Sequence, residues 1–379
     1  MRRKTEILHS AASRDKSTGA LSIPIYPAST YHQADIDLEP QWEYGRSANP
    51  TRSEAEKLLA SLERCEHGFA FSSGMAAIAA AITAVVKAGD HIIATQDIYG
   101  GSYRYLTKYI SGFGVTHTFV DMTKPANVQN AIQKNTRLIL METPSNPLLR
   151  VTDIRAVVAI AKQHGIITAL DNTFMTPYLQ RVLDLGVDIS IHSATKFLGG
   201  HSDLIAGAVM TADIHHANAV KFVQNACGSV LSPNDSWLLI RGIKTLSARM
   251  DVQCANAMKL SQWLTSRDWI REVYYPGLPS HPGHDIVKSQ ASGFGAVVSV
   301  KIDNVERAIA IMKKVKLWSV AVSLGGVESI LSYPRKMSHA AIPAQERHVL
   351  GITDDIVRLS VGLEDVDDLI EDLNNAALD

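Results

Sequence analysis

Apolar residues recur along the 379-residue chain in two periods, and their alternation predicts the architecture. Strand-length apolar runs fall at His91–Thr95, Val115–Val120, Leu138–Glu142, Ile166–Asp171 and Ile189–Ser193. Between them, at Tyr103–Ser111, Asn127–Lys134 and Ile154–His164, lie patterns typical of a helix that buries one face. Strands alternating with such helices form βαβ units, so the stretch from about Gly68 to Gly207 is predicted to be a mostly parallel sheet covered on both faces.

Three further segments extend this plan. Gly74–Val86 is rich in small apolar residues and reads as a buried helix, being shorter than the roughly 20 residues that span a bilayer. A long helical pattern from Pro233 to Trp269 leads to a second α+β region with helices at Val305–Val315 and Asp365–Asn375. Residues 1–45 contain Pro24, Pro27 and Pro40 and no sustained period, and are expected to form an extended arm of the kind that reaches a neighbouring subunit. The expected division is therefore an arm (1–45), a large α/β domain (46–240) and a smaller C-terminal α+β domain (241–379). No internal repeat and no low-complexity segment interrupts it.

Composition narrows the function. With 46% hydrophobic and 20% charged residues the chain can bury a sizeable core. Its 37 basic and 38 acidic residues leave a net charge of −1, which offers no general pull toward nucleic acid or an anionic membrane and points to small-molecule partners. Cys65, Cys227 and Cys254 are odd in number and far apart, with no Cys-x-x-Cys pair and no secretory signal, so a cytoplasmic setting is expected. The 14 histidines show no metal-ligand spacing, and His192 and His201 are expected to pack or hydrogen-bond. Neither Gly-x-Gly-x-x-Gly nor a phosphate loop ending in Gly-Lys-Ser/Thr is present.

Sheets of this type bind ligands beyond the carboxyl ends of their strands. Polar residues gather there: Tyr99, Asn146, Asp171, and the trio Ser193, Thr195 and Lys196. Taken alone, Lys196 reads as a surface lysine at a strand end. Its neighbours Ser193, Thr195, Gly199 and Gly200 supply the donors and the room that a phosphate needs, or else ordinary turn chemistry. Ser72-Ser73-Gly74-Met75 precedes a helix, either as a phosphate site on free N–H groups or as a plain serine cap. Asp171 is suited to pair with a protonated ring nitrogen or to cap a turn. Tyr99, beside two glycines, can stack on a flat ring or simply pack. Arg358, within the apolar run Ile356–Ser360, demands a carboxylate partner from the protein or from a substrate.

Together these segments resemble the Cys/Met-metabolism family of pyridoxal 5′-phosphate enzymes, which includes the cystathionine lyases, cystathionine γ-synthase and methionine γ-lyase. The likeness runs end to end. It includes the lysine signature Asp188–Ser202, the segments Tyr44–Arg52, Glu142–Pro147 and Ser323–Ser329, and a closer similarity to bacterial cystathionine β-lyases through Ser332–Ala340 and Gly351–Asp354.

The resemblance implies fold type I and a homotetramer built from two active dimers. It implies that Lys196 carries the cofactor as a Schiff base and abstracts the Cα proton, with Tyr99 stacking on the ring and sharing in proton transfer. Asp171 would pair with the ring nitrogen and Asn146 would approach the 3′-oxygen. Gly74, Met75, Ser193 and Thr195 would meet the phosphate, together with Tyr44 and Arg46 from a neighbouring subunit. Arg358, with Ser323 and Asn146, would hold the substrate carboxylate. Many γ-synthases and γ-lyases of the family carry glutamate just before the Ser-Leu-Gly-Gly segment, where this chain has Val322. The expected reaction is therefore β-elimination of cystathionine to homocysteine, pyruvate and ammonia. γ-Lyase or γ-synthase activity is the alternative, and a non-catalytic cofactor-binding regulator a more remote one.

Overall fold

The five expected apolar runs pair as five parallel strands in the computed structural model, which describes residues 1–10, 14–340 and 342–378. The strands of this sheet are β1 (His67–Phe71), β2 (His91–Thr95), β3 (Thr116–Val120), β4 (Thr136–Glu142), β5 (Ile167–Asp171), β6 (Ile189–His192) and β7 (Gly207–Thr211). Their spatial order is β1-β7-β6-β5-β4-β2-β3. The predicted runs became β2 to β6: His91–Thr95 coincides with β2, and each of the others differs at one end by one or two residues.

β1 and β7 were not anticipated. Both are five residues long, and β7 runs antiparallel to β1 and to β6, so the sheet is mixed at this edge. β7 follows a turn-rich glycine segment and is buried throughout, so it carries no alternating pattern to announce it.

Burial on both faces explains the continuous apolar character of the central strands. Leu138, Leu140, Ile167, Ala169, Ile189 and Ile191 pack on one face against Ala77, Ile78 and Ala81 of the helix Gly74–Thr83. On the other face, Ile93, Ile139, Met141 and Leu170 meet Val157, Val158 and Ala161 of the helix Ile154–Gln163. These layers fix the strand ends, and thereby the site.

The expected helix Tyr103–Ser111 is shifted and divided into an α turn (Gly100–Arg104), a wide π turn (Tyr105–Tyr109) and a 3₁₀ turn (Ile110–Phe113). The long pattern from Pro233 breaks at Thr245 into the helices Pro233–Lys244 and Leu246–Leu264. Residues 1–45 are not extended throughout: Arg3–His9 forms a helix too short to display a period, held by buried Ile7 and by Glu6, which accepts from Arg181 at 2.9 Å.

A second sheet comprises β8 (Ile270–Tyr274), β9 (Val297–Ile302), β10 (Ser319–Val320), β11 (Ile330–Ser332) and β12 (Ile356–Ser360), ordered β10-β11-β12-β9-β8. The helices Val305–Lys314 and Val366–Leu378 contribute Ala308, Ile311, Leu369 and Leu373 to its core. Among the described residues no helix is long and apolar enough to cross a membrane.

Candidate active site

A cavity of about 480 Å³ opens where the carboxyl ends of β2, β4, β5 and β6 face β12 and the Ser323 segment. Gly74, Met75, Tyr99, Asn146, Asp171, Ser193, Thr195, Lys196, Ser323 and Arg358 all line it. The polar residues that the sequence places at separate strand ends thus meet in one space, as the parallel topology requires.

Lys196 sits in the turn after β6, where its N–H donates to Ser193 O at 3.1 Å and its carbonyl accepts from Gly200 N at 2.7 Å. Its Nζ lies 2.6 Å from Ser323 Oγ. Burial, assisted by the Arg358 charge, lowers the lysine pKa to about 8. A substantial neutral fraction at physiological pH makes the amine a nucleophile and a base.

Arg358 is carried into the cavity by β12 and is only 2% exposed. Its Nη1 donates to Asn146 Oδ1 at 2.9 Å, and its Nη2 donates to Ser323 O at 2.7 Å and Ser332 Oγ at 3.2 Å, while Nε has no partner. No acid lies within ion-pair distance of it among the described residues. Of the two sources of a carboxylate partner that the sequence left open, the geometry therefore favours an entering molecule.

Asp171 ends β5, largely buried at the cavity wall. Burial raises its pKa, opposed by Thr173, whose hydroxyl and N–H both donate to Oδ1. No lysine or arginine pairs with it among the described residues, so a cationic ring nitrogen would supply what the burial lacks. Thr173 Oγ1 also accepts from Ser193 N at 2.8 Å, tying the acid to the lysine turn.

At the opposite end, Ser73 caps the helix Gly74–Thr83 by accepting from Ala76 N at 3.1 Å. This leaves the Gly74 and Met75 N–H groups at the positive end of the helix, without intrahelical acceptors. A Cβ on Gly74 would fall 2.7 Å from Ser193 Oγ, so only glycine permits this close approach. Thr195 Oγ1 donates to Ala206 O at 3.1 Å and accepts from Ala206 N at 2.9 Å, which fixes its hydroxyl at the cavity wall.

Two expected site residues lie elsewhere. Arg46 donates to Asn225 O at 2.6 Å and lies over the Tyr44 ring at 5.6 Å, and neither residue lines this cavity. His192 is buried against Ser190, and His201 bonds Gly199 O, as structural histidines do. Among the other residues lining the cavity are three polar ones with no role assigned from the sequence, Glu142, Arg104 and Ser338. Glu142 carried the same signal as Asp171, an acid closing an apolar strand. Arg104 was legible only as a cation one turn beyond Tyr99.

The half-buried lysine, the acid on the neighbouring strand and the helix N-terminus across the cavity suit pyridoxal 5′-phosphate, and with the mixed seven-stranded sheet they define an enzyme of fold type I. Residues 4–378 match the family model described as Cys/Met metabolism PLP-dependent enzyme, and the chain belongs to that family, with pyridoxal 5′-phosphate as its cofactor. It is 48% identical over 376 residues to a cystathionine γ-lyase of Bacillus subtilis, covering 99% of each chain. To a cystathionine β-lyase of the same organism it is 49% identical over 373 residues, covering 98% of this chain and 95% of the relative. The crystal structure of cystathionine γ-lyase from Lactobacillus plantarum complexed with L-serine superposes with a TM-score of 0.97 at 44% identity, over 99% and 98% of the two chains. The chain is thus a member of a carbon–sulfur lyase family acting on amino acids.

Proposed function

We propose that the protein β-eliminates cystathionine, with one water consumed, to homocysteine, pyruvate and ammonia. The observation that carries this reading is Val322, which lines the cavity mouth and is 65% exposed, with apolar Ile205 also at the mouth. The acids lining the cavity, Glu142 and Asp171, are both buried at its base. Among the described residues no carboxylate at the mouth stands ready to hold a distal ammonium, whereas Arg104 can meet a distal carboxylate.

When bound, the cofactor supplies an electron sink for the pair left at the substrate Cα. In this reading Lys196 holds the cofactor, removes the Cα proton once free, and returns a proton to the departing sulfur, a step in which Tyr99 shares. Arg358, Asn146 and Ser323 grip the α-carboxylate and set which Cα bond stands across the ring. Asp171 pairs with the ring nitrogen, and Asn146 approaches the 3′-oxygen. Gly74, Met75, Ser193 and Thr195 hold the phosphate.

The same reading assigns Tyr44 and Arg46, absent from this chain's own cavity, to the phosphate of a neighbouring subunit. It carries a cytoplasmic homotetramer of two active dimers and the division into segments 1–45, 46–240 and 241–379.

Product analysis tests the reaction. Pyruvate with homocysteine supports it, and 2-oxobutyrate with cysteine overturns it in favour of γ-elimination, the second reading favoured by the likeness to the two γ-lyases.

A further inference from the structure

Glu142 has no role in the chemistry described above, yet its position is unusual for a carboxylate. It closes β4 in register with Asp171 on β5, is 5% exposed, and lines the base of the cavity. Its two oxygens accept from two different loops: Oε2 from Tyr99 N at 2.8 Å, and Oε1 from Asn146 N at 3.1 Å. Those loops follow the adjacent strands β2 and β4. Thr95 Oγ1, at the end of β2, accepts from the Glu142 N–H at 3.1 Å, so the acid's own backbone is also fixed.

A buried carboxylate is costly unless its oxygens are satisfied. Burial and the neighbouring Asp171 charge push the Glu142 pKa up, opposed by the two backbone N–H groups. The arrangement continues outward: Asn146 Oδ1 accepts from Arg358, and Arg358 bonds the carbonyl of Ser323, whose hydroxyl meets Lys196. The two loops joined by Glu142 therefore carry the ring-stacking tyrosine and the amide that orients the carboxylate-binding arginine.

We propose that Glu142 is a positioning residue that clamps the Tyr99 loop to the Asn146 loop, and so sets the Tyr99 ring and the Asn146–Arg358 pair relative to each other. The inference rests on the roles given above to Tyr99, Asn146 and Arg358, and holds whether the bond broken is β or γ. A second tie, from Ser145 Oγ to Asp97 Oδ2 at 2.5 Å, joins the same loops outside the cavity. Loss of the Glu142 clamp should therefore misplace the loops without unfolding them.

Glu142→Gln keeps the side-chain length but turns an amide donor toward one of the two N–H groups. Glu142→Asp keeps the charge but is one methylene too short to hold both. Each variant is purified with cofactor and compared with the wild type for cofactor content, visible circular dichroism of the bound cofactor, and kcat and KM with cystathionine.

The expected result for Glu142→Gln is near-normal cofactor content, an altered dichroic band, and a fall of about 100-fold in kcat/KM shared between kcat and KM. Glu142→Asp should lie between it and the wild type. Wild-type dichroism and kcat/KM in either folded, loaded variant would overturn the proposal. Failure of both variants to fold would also overturn it, by assigning Glu142 to the structural core. If the wild type itself neither reacts nor shows a band that borohydride abolishes, the functional reading fails instead, and the two failures are distinct.

Discussion

Lys196 Nζ lies 2.6 Å from the hydroxyl of Ser323, a serine whose own carbonyl accepts from Arg358 Nη2 at 2.7 Å. The amine of the first sheet and the guanidinium of the second are thus joined through one residue held at φ 94°. Neither sheet contains the site alone. The half-buried lysine is therefore set beside a fixed, buried cation, the arrangement that depresses an amine's pKa.

The first prediction follows from that depression. With Lys196 near 8, against an ordinary 10.5, cofactor capture by the cofactor-free protein should accelerate as pH rises, with a midpoint of about 8. Because the folded pKa is the lower one, the unfolded chain binds more protons between those values, so this lysine's contribution makes the cofactor-free protein more stable as pH rises through the window. Stopped-flow absorbance and urea unfolding at a series of pH values check the two halves. A capture midpoint near 10.5 would contradict the burial argument.

Arg358 yields the second. Its three hydrogen bonds fix a fork whose Nε remains unpaired, and Lys at this position could not reproduce the planar grip. Arg358→Lys should raise KM for cystathionine by about 10- to 100-fold, the loss expected for a charge-assisted pair of roughly 1.5–3 kcal/mol. Removing the neighbouring charge altogether, in Arg358→Leu, should move the Lys196 midpoint upward, though burial, the larger cause, keeps it below 10.5. An unchanged midpoint would show that the guanidinium does not act on the amine.

These relationships mark how far the sequence could be read. The apolar runs that became β2, β4, β5 and β6 announced themselves because strands buried on both faces are apolar nearly throughout, and the residues ending them share one edge. Lys196 and Asp171 were legible for that reason. The Glu142 clamp was not, because its partners are backbone N–H groups of Tyr99 and Asn146, and backbone donors carry no residue signature. β7 was missed because its reversed direction follows from pairing with β1, a long-range choice without local periodicity. The division at Thr245 likewise lay inside a pattern that remained helical on either side.

A third prediction concerns the turn that presents Ser323. Gly325 has φ 77°, and a Cβ there would come within 2.7 Å of Phe197 N, the backbone directly after the lysine. Gly325→Ala combines a left-handed backbone with a clash against main chain that has no flexible end to move. It should cost about 1–3 kcal/mol of stability, measured by urea unfolding. It should also weaken the Lys196–Ser323 contact, seen as a shift in the pH midpoint of cofactor capture. Unchanged stability would mean that the turn relaxes freely.

The last prediction turns on Val322. Because it is 65% exposed at the cavity mouth, exchanging it need not disturb the core. Glutamate at this position would add a carboxylate to a mouth that Arg104 also lines, and would favour the orientation of cystathionine whose distal ammonium it can reach. Such a contact is partly solvated, so its effect should be modest, about 3- to 10-fold in the ratio of γ- to β-elimination products. Val322→Glu is therefore expected to raise 2-oxobutyrate relative to pyruvate from cystathionine, with cofactor content unchanged, as read by separating the two keto acids. Val322→Leu, equally apolar, should leave the ratio where the wild type sets it. If the glutamate variant also leaves the ratio unmoved, the reaction choice lies deeper in the cavity, and Val322 no longer supports β-elimination.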